Sequence, residues 1–290
     1  MMPNCMICKN DDLSLRHPRV RDKENIEVLE CKNCGLVFLS SFAHITDNFY
    51  EKSGMLNWKV EIDEYRGKSF KDDHRRFSEL DEKILGKKVL DFGCGAGGFL
   101  HLIKDRCVSV AGVELDNTLN KIINEEGIEC FDNLSSIKGK YDVITLFHVL
   151  EHLINPQEIL VELQNYLNPN GIIIIEVPNA DDALLTLYKS EEFANFTYWS
   201  CHVVLYNAAT LKMLIDKCSL NVNYIKQIQR YPLSNHLYWL SKKSPGGHQK
   251  WSFLDKVILN TEYESMLAAI GKCDTLFAEV KIGTHLNLLK

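Results

Sequence analysis

One stretch of eight residues constrains this chain more than any other. Asp91-Phe92-Gly93-Cys94-Gly95-Ala96-Gly97-Gly98 closes a short strand-like run at 88–92 and opens a helical stretch at 99–104. Glycines in such a turn let the backbone approach a ligand closely, and the next helix presents free N–H groups at its start. The same rhythm continues downstream. Strands are expected at 108–113, 128–131, 141–147 and 172–177, and helices at 119–126 and from Asn155-Pro156 to about 167. This alternation specifies an α/β fold, a parallel doubly wound sheet with helices on both faces. A helix at 208–218, a strand at 222–228 and a last strand near 275–281 complete it.

The second constraint is the placement of ten cysteines. Four fall in two pairs, Cys5-x-x-Cys8 and Cys31-x-x-Cys34, separated by the 22 residues from Lys9 to Glu30. Two such turns around a short hairpin are the layout of a zinc ribbon, and four thiolates match tetrahedral zinc. Gly35 follows the second pair, as a tight knuckle requires. A closed four-cysteine site has no open coordination position, so its expected role is folding rather than chemistry. Cys94, Cys107, Cys130, Cys201, Cys218 and Cys273 are scattered singly and read as small buried hydrophobes.

Residues 1–5 lack a charged region followed by an apolar one, so the expected location is cytoplasmic. No apolar run reaches the roughly 18–20 residues of a membrane span. The charge balance, 33 basic against 39 acidic residues for a net −6, argues against a broad nucleic-acid surface. The expected division is a ribbon at 1–45, a helical connector at 46–84 that includes Tyr50, Trp58, Tyr65 and Phe70, and an α/β domain at 85–290. An insertion is expected at about 230–265.

The D-x-G-C-G-x-G spelling of the glycine loop resembles the first motif of class I S-adenosylmethionine-dependent methyltransferases. Two further segments carry the resemblance. Phe147-His148-Val149-Leu150-Glu151-His152-Leu153 with Asn155-Pro156 looks like the family's segment after the fourth strand. Asn168-Pro169-Asn170-Gly171 with Ile175-Glu176-Val177-Pro178-Asn179 looks like its fifth-strand segment. The likeness covers about 88–220. It implies that Asp91, Gly93, Cys94, Gly95, Gly97 and Phe147 surround S-adenosylmethionine. It also implies that Asp132 contacts adenine and that Glu114, 114 − 93 = 21 residues after the first glycine, accepts the ribose hydroxyls. The ribbon-plus-methyltransferase layout is similar to bacterial enzymes that modify sugars and other small metabolites. That likeness implies a small polar acceptor, such as a nucleotide-linked or surface-polysaccharide sugar. RNA or protein methylation, with the ribbon as recognition module, is the alternative; the mixture of basic and acidic residues between the cysteine pairs argues against it.

His148, Glu151 and His152 stand at i, i+3 and i+4 and would share one helical face. His202, after the fifth strand, is expected to meet them. Three readings stay open. His148 or His202 is a general base with Glu151 orienting an imidazole. Alternatively, the four hold a divalent metal that binds the acceptor hydroxyl. The resemblance supports this through the similar E-x-x-E-H pattern of small-RNA 2′-O-methyltransferases and ubiquinone-pathway O-methyltransferases, although His148 stands where the first Glu would be. In the third reading Glu151 and His152 only pack. In the insertion, Arg230, Tyr231, Asn235 and His236 are candidate acceptor contacts, with Arg230 suited to a phosphate or carboxylate. A homodimer contact or packed surface is the alternative use of that segment.

Overall fold

The computed structural model describes residues 4–46, 49 and 62–283. Tyr50 and Trp58 of the expected connector lie outside the described residues. The chain runs β1 (Leu13–His17), β2 (Val28–Cys31), β3 (Val37–Leu39), α1 (Ile62–Ile84), β4 (Lys88–Phe92), α2 (Gly98–Ile103), β5 (Ser109–Val113), α3 (Asn117–Glu125), β6 (Glu129–Phe131) and β7 (Tyr141–Phe147). It continues through α4 (Pro156–Leu163), β8 (Leu167–Pro178), α5 (Ala183–Thr186), α6 (Glu191–Thr197), β9 (Val204–Leu205), α7 (Ala208–Lys217) and β10 (Leu220–Ile228). The remaining elements are α8 (Leu233–Lys242), α9 (Gly247–Lys250), α10 (Val257–Ala269) and β11 (Thr275–Ile282).

Seven strands form the main sheet in the order β10-β11-β8-β7-β4-β5-β6. β4 to β8 pair in parallel. β11 is antiparallel to both β8 and β10, so the sheet is mixed rather than wholly parallel. The isoleucine run of β8 lies centrally between β7 and β11, and Ile173, Ile174, Ile175 and Val177 are all fully buried, as a strand covered on both faces requires. This is a Rossmann-like α/β fold. Local signals set the helix starts: Asp116 caps α3 by accepting the N–H groups of Thr118 and Leu119, and Asn207 with Thr210 forms a capping box on α7.

The described part of the connector is a single helix, α1. Its buried stripe is Asp73, Arg76, Leu80 and Ile84. The last two join the apolar core under the sheet; the first two carry charge into the functional cavity. The segment after β10 holds α8, α9 and α10 before β11, where the insertion was expected.

The cysteine-bearing segment forms a four-stranded antiparallel sheet in the order β1-β2-β3-β9. Its last strand comes from the α/β domain: Val37 pairs with Leu205 and Phe38 with Val204. The two sheets share one continuous core, which runs from Cys5, Ile7 and Phe38 through Val204 and Tyr206 to Leu90 and Ile144.

Candidate active site

The C-terminal ends of the parallel strands open into a cavity of about 860 Å³, within the size range of small-molecule sites. At one end stands the glycine loop. Gly93 has φ +76°, and a Cβ there would lie 2.5 Å from Val149 Cγ2, so only glycine fits. Gly95 donates its N–H to Glu114 Oε2 at 2.8 Å, and Asp116 donates to Glu114 Oε1 at 2.8 Å. Burial pushes Glu114 up to about 7, against the pull of those backbone N–H groups. Burial likewise pushes Asp91 up to about 7, although the Thr145 hydroxyl donates to it at 2.7 Å. α1 lies over the loop: Tyr65 would touch a Cβ on Gly95, and Arg66 donates to the Ala96 carbonyl at 2.9 Å.

The middle of the cavity is a charged node. Glu176, on β8, is fully buried among arginines. Arg76 donates to it at 2.7 and 3.1 Å and Arg75 at 2.9 and 3.0 Å. Burial alone would raise its pKa, but the charge of Arg76 holds it well below the ordinary range. Arg76 also lies over the Phe147 ring, 4.4 Å from its centroid. Burial would raise the pKa of Glu151 as well, yet the His148 bond holds it near 2. Sequence reasoning did not single out Glu176, Arg75 or Arg76. The signals were present: a lone carboxylate in an isoleucine strand, and an arginine continuing the Leu80–Ile84 stripe one turn up.

His148 sits just past β7 with φ +56°. This left-handed conformation is uncommon for a non-glycine residue and clusters at functional sites. Its Nδ1 lies 3.1 Å from Glu151 Oε1. Its Nε2 accepts from Arg230 Nη1 at 2.8 Å and lies 3.2 Å from Glu176 Oε1. Arg230 is in turn held by Asp72 through Nε at 3.0 Å and through Nη2. The expected helical face does not form, because the left-handed turn at His148 leads into a single 3₁₀ turn, Leu150–His152. The expected group of four therefore divides. His148 joins the Glu176–Arg230 node, while Glu151, His152 and His202 have ligand atoms within 4.8 Å of one another. His152 Nδ1 donates to the Cys201 carbonyl at 2.7 Å, which leaves Nε2 as the acceptor nitrogen of that ring. Glu151 Oε2 is buried without a hydrogen-bond partner among the described residues. Burial and the neighbouring His152 push His202 down to about 3.

The far end is apolar and aromatic, with Phe193, Phe196, Trp199 and Trp239 among its walls. Tyr231, Asn235 and His236 face this same cavity. His236 bonds the Tyr263 hydroxyl at 2.7 Å. Of the residues expected at the cofactor, Asp91, Gly93, Cys94, Gly95, Glu114 and Phe147 line the cavity. Gly97 instead caps α2 with φ +72°. Asp132 accepts from the Ser136 hydroxyl at 2.7 Å on the exposed surface and is not part of the lining.

In the ribbon, Cys5 Sγ lies 3.5 Å from Cys34 Sγ and Cys8 Sγ 3.4 Å from Cys31 Sγ, with all four thiols within 4.8 Å of one another. The Cys8 N–H points at Cys5 Sγ at 3.5 Å. None of the four is joined in a disulfide. Their clustering fits a tetrahedral thiolate site and a zinc-ribbon module. Among the described residues no helix is long and apolar enough to cross a membrane.

Comparison with known proteins agrees with this geometry. A family profile described as a methyltransferase domain matches residues 62–223. The chain is 23% identical over 174 residues to the ubiquinone biosynthesis O-methyltransferase of Photobacterium profundum, spanning 55% of this chain and 74% of that one. It is 31% identical over 122 residues to the protein of the same name from Glaesserella parasuis, spanning 36% of this chain and 52% of that one. Among solved structures, the mitomycin 7-O-methyltransferase superposes with a TM-score of 0.50 at 12% identity, over 77% of this chain and 56% of that one; that likeness concerns the fold alone. With the family profile spanning more than half of its residues, the chain belongs to the methyltransferase-domain family and is an S-adenosylmethionine-dependent methyltransferase.

Proposed function

We propose that this enzyme methylates a hydroxyl group of a small molecule, with His148 as general base. The observation that carries the reading is the position of His148, at the strand end beside the glycine loop and between two carboxylates. Nδ1–H donates to Glu151, which fixes the tautomer and stabilises the ring as it gains a proton. Nε2 keeps its lone pair, engaged by Arg230 in the resting enzyme. An acceptor hydroxyl that takes the place of Arg230 at Nε2 would be deprotonated as its oxygen attacks the sulfonium methyl group. Methyl transfer needs alignment and proton removal more than covalent help. The relatives' names concern O-methylation; the comparisons lend no support to a sugar acceptor. In this reading Asp91, Glu114 and the Gly93–Gly95 backbone hold the cofactor.

A second reading rests on the orphaned Glu151 Oε2. Together with His152 and the partly exposed His202 it forms a donor set of one carboxylate and two imidazoles that suits a divalent cation. Such an ion would supply Lewis acidity to the acceptor oxygen. Cys5, Cys8, Cys31 and Cys34 would hold zinc as a structural ion.

His148→Asn tests the base, because asparagine tolerates the same left-handed backbone. The expected result is S-adenosylhomocysteine binding within about threefold of the parent and a loss of at least about a hundredfold in turnover. Unchanged turnover overturns the base assignment. Failure of the parent enzyme to bind S-adenosylhomocysteine in calorimetry overturns the cofactor site.

A further inference from the structure

The acceptor end of the cavity is not built by the methyltransferase domain alone. Arg21, on the link between β1 and β2 of the ribbon, is one of its lining residues. The ribbon backbone is anchored there. Arg21 N donates to the Tyr198 carbonyl at 2.9 Å and Arg21 Nη1 to the Phe196 carbonyl at 3.0 Å. The guanidinium lies 4.7 Å from the Trp199 ring centroid and 5.2 Å from that of Phe196.

Its charge environment sets it apart. Arg76 is neutralised by Glu176 and Asp73, Arg230 by Asp72, and Lys68 by Glu64. Arg21 has no carboxylate partner among the described residues. It is exposed and stacked on aromatic faces, with Nη1 hydrogen-bonded to a carbonyl and Nε and Nη2 making no protein hydrogen bond among the described residues. A guanidinium in that state is suited to a carboxylate or phosphate, which it can take through two parallel bonds. The surfaces around it are rings: Phe193 and Phe196 each lie 5.2 Å from Trp239. A series of ring contacts leads from the reacting end to Arg21: His152 to His202 at 5.0 Å, His202 to Trp199 at 5.6 Å, then Trp199 to the guanidinium.

We propose that the ribbon completes the acceptor site, and that Arg21 with Phe193, Phe196, Trp199 and Trp239 selects a planar acceptor carrying an oxyanion. The aromatic walls take the ring and Arg21 takes the anionic group. The inference rests on the small-molecule O-methyltransferase reading and narrows its substrate class.

The test is calorimetric titration of the S-adenosylhomocysteine-loaded enzyme with 3-hydroxybenzoate, phenyl phosphate, phenol and glucose 1-phosphate. At least one of the two ring-bearing anions should bind about tenfold or more tightly than phenol, and the tighter of them identifies the oxyanion. Glucose 1-phosphate, an anion without a flat ring, should bind more weakly than that anion. Arg21→Ala should erase the advantage over phenol, Arg21→Lys should restore part of it, and both should bind S-adenosylhomocysteine as the parent does. The proposal is overturned if neither ring-bearing anion binds better than phenol, if glucose 1-phosphate matches them, or if Arg21→Ala keeps the preference. If the parent does not bind S-adenosylhomocysteine, it is the methyltransferase site that fails.

Discussion

Asp22 of the ribbon holds Ser200 of the methyltransferase domain through two bonds: its Oδ1 accepts the Ser200 N–H at 2.9 Å and its Oδ2 accepts the hydroxyl at 2.6 Å. Ser200 stands immediately before Cys201, whose carbonyl fixes the His152 ring, and two residues before His202. Asp22 is therefore a positioning residue for the histidine end of the site. Asp22→Ala should lower kcat by roughly tenfold or more while S-adenosylhomocysteine affinity stays unchanged, and Asp22→Asn should recover part of the loss. Equal losses in kcat and in cofactor binding would point instead to a general defect in folding.

The same connection ties the cysteine site to catalysis. Metal analysis should find one zinc per chain on Cys5, Cys8, Cys31 and Cys34 beyond any ion at Glu151. Cys8→Ser should release the structural zinc, lower Tm and abolish methyl transfer, because β3, which pairs with β9, and Asp22 belong to the ribbon. S-adenosylhomocysteine should still bind, since Gly93 and Glu114 lie on β4 and β5 connections at the other end of the cavity. A Cys8→Ser protein with full activity would show that the ribbon is dispensable.

Gly93→Ala should fail at the cofactor. The backbone conformation at φ +76° costs a residue with a Cβ about 1–2 kcal/mol, and the new methyl meets Val149 at 2.5 Å. Lower Tm and loss of S-adenosylhomocysteine binding are expected together. Calorimetry with unaltered affinity would contradict the close approach.

Glu114 gives a pH signature. Its carboxyl titrates at about 7 in the fold against an ordinary 4.5, because it is buried. Between those values the native state holds a proton that the unfolded chain has released. The stability this group contributes is full below about pH 4.5 and is lost as pH rises through 7. Glu114→Gln has no such titration. The Tm of the parent relative to Glu114→Gln should therefore fall between pH 5 and pH 8, and the variant should bind S-adenosylhomocysteine about tenfold or more weakly. A pH-independent Tm difference would exclude the raised carboxyl.

The Arg76–Glu176 pair is a buried ion pair, and its two halves should not be additive. Arg76→Met leaves Glu176 buried with one cation fewer and should cost about 3–5 kcal/mol in denaturant unfolding. Adding Glu176→Gln should recover much of that loss. If the double variant is no better than Arg76→Met, packing against Phe147 rather than charge dominates the pair.

Much of the fold was legible because its signals are local. The strand-loop-helix at Lys88–Ile103, the isoleucine strand before Glu176 and the paired cysteines each announce themselves within a short window. The arrangement around His148 was less legible. Its i, i+3, i+4 spacing suggested a helical face, but His148 takes a left-handed conformation just past β7, and the backbone then makes only a 3₁₀ turn. That geometry depends on the end of a buried strand and on Glu176 and Arg230, residues 28 and 82 positions away (176 − 148 and 230 − 148). Arg21 was hidden for a similar reason. In sequence it is one more charge in a mixed ribbon; only the docking of that ribbon against Tyr198 brings it beside two aromatic rings.

The pairing of β3 with β9 also has a consequence for how the chain is made. Val37 and Leu205 are 205 − 37 = 168 positions apart. At roughly 5–20 residues per second, synthesis takes on the order of ten seconds or more to deliver the partner strand. For that interval the nascent ribbon presents Val37-Phe38-Leu39, all buried in the finished protein, as an open and apolar edge. The cysteine turns at Cys5 and Cys31 are complete early, but the sheet they anchor stays unfinished at the ribosome until residue 205 has emerged.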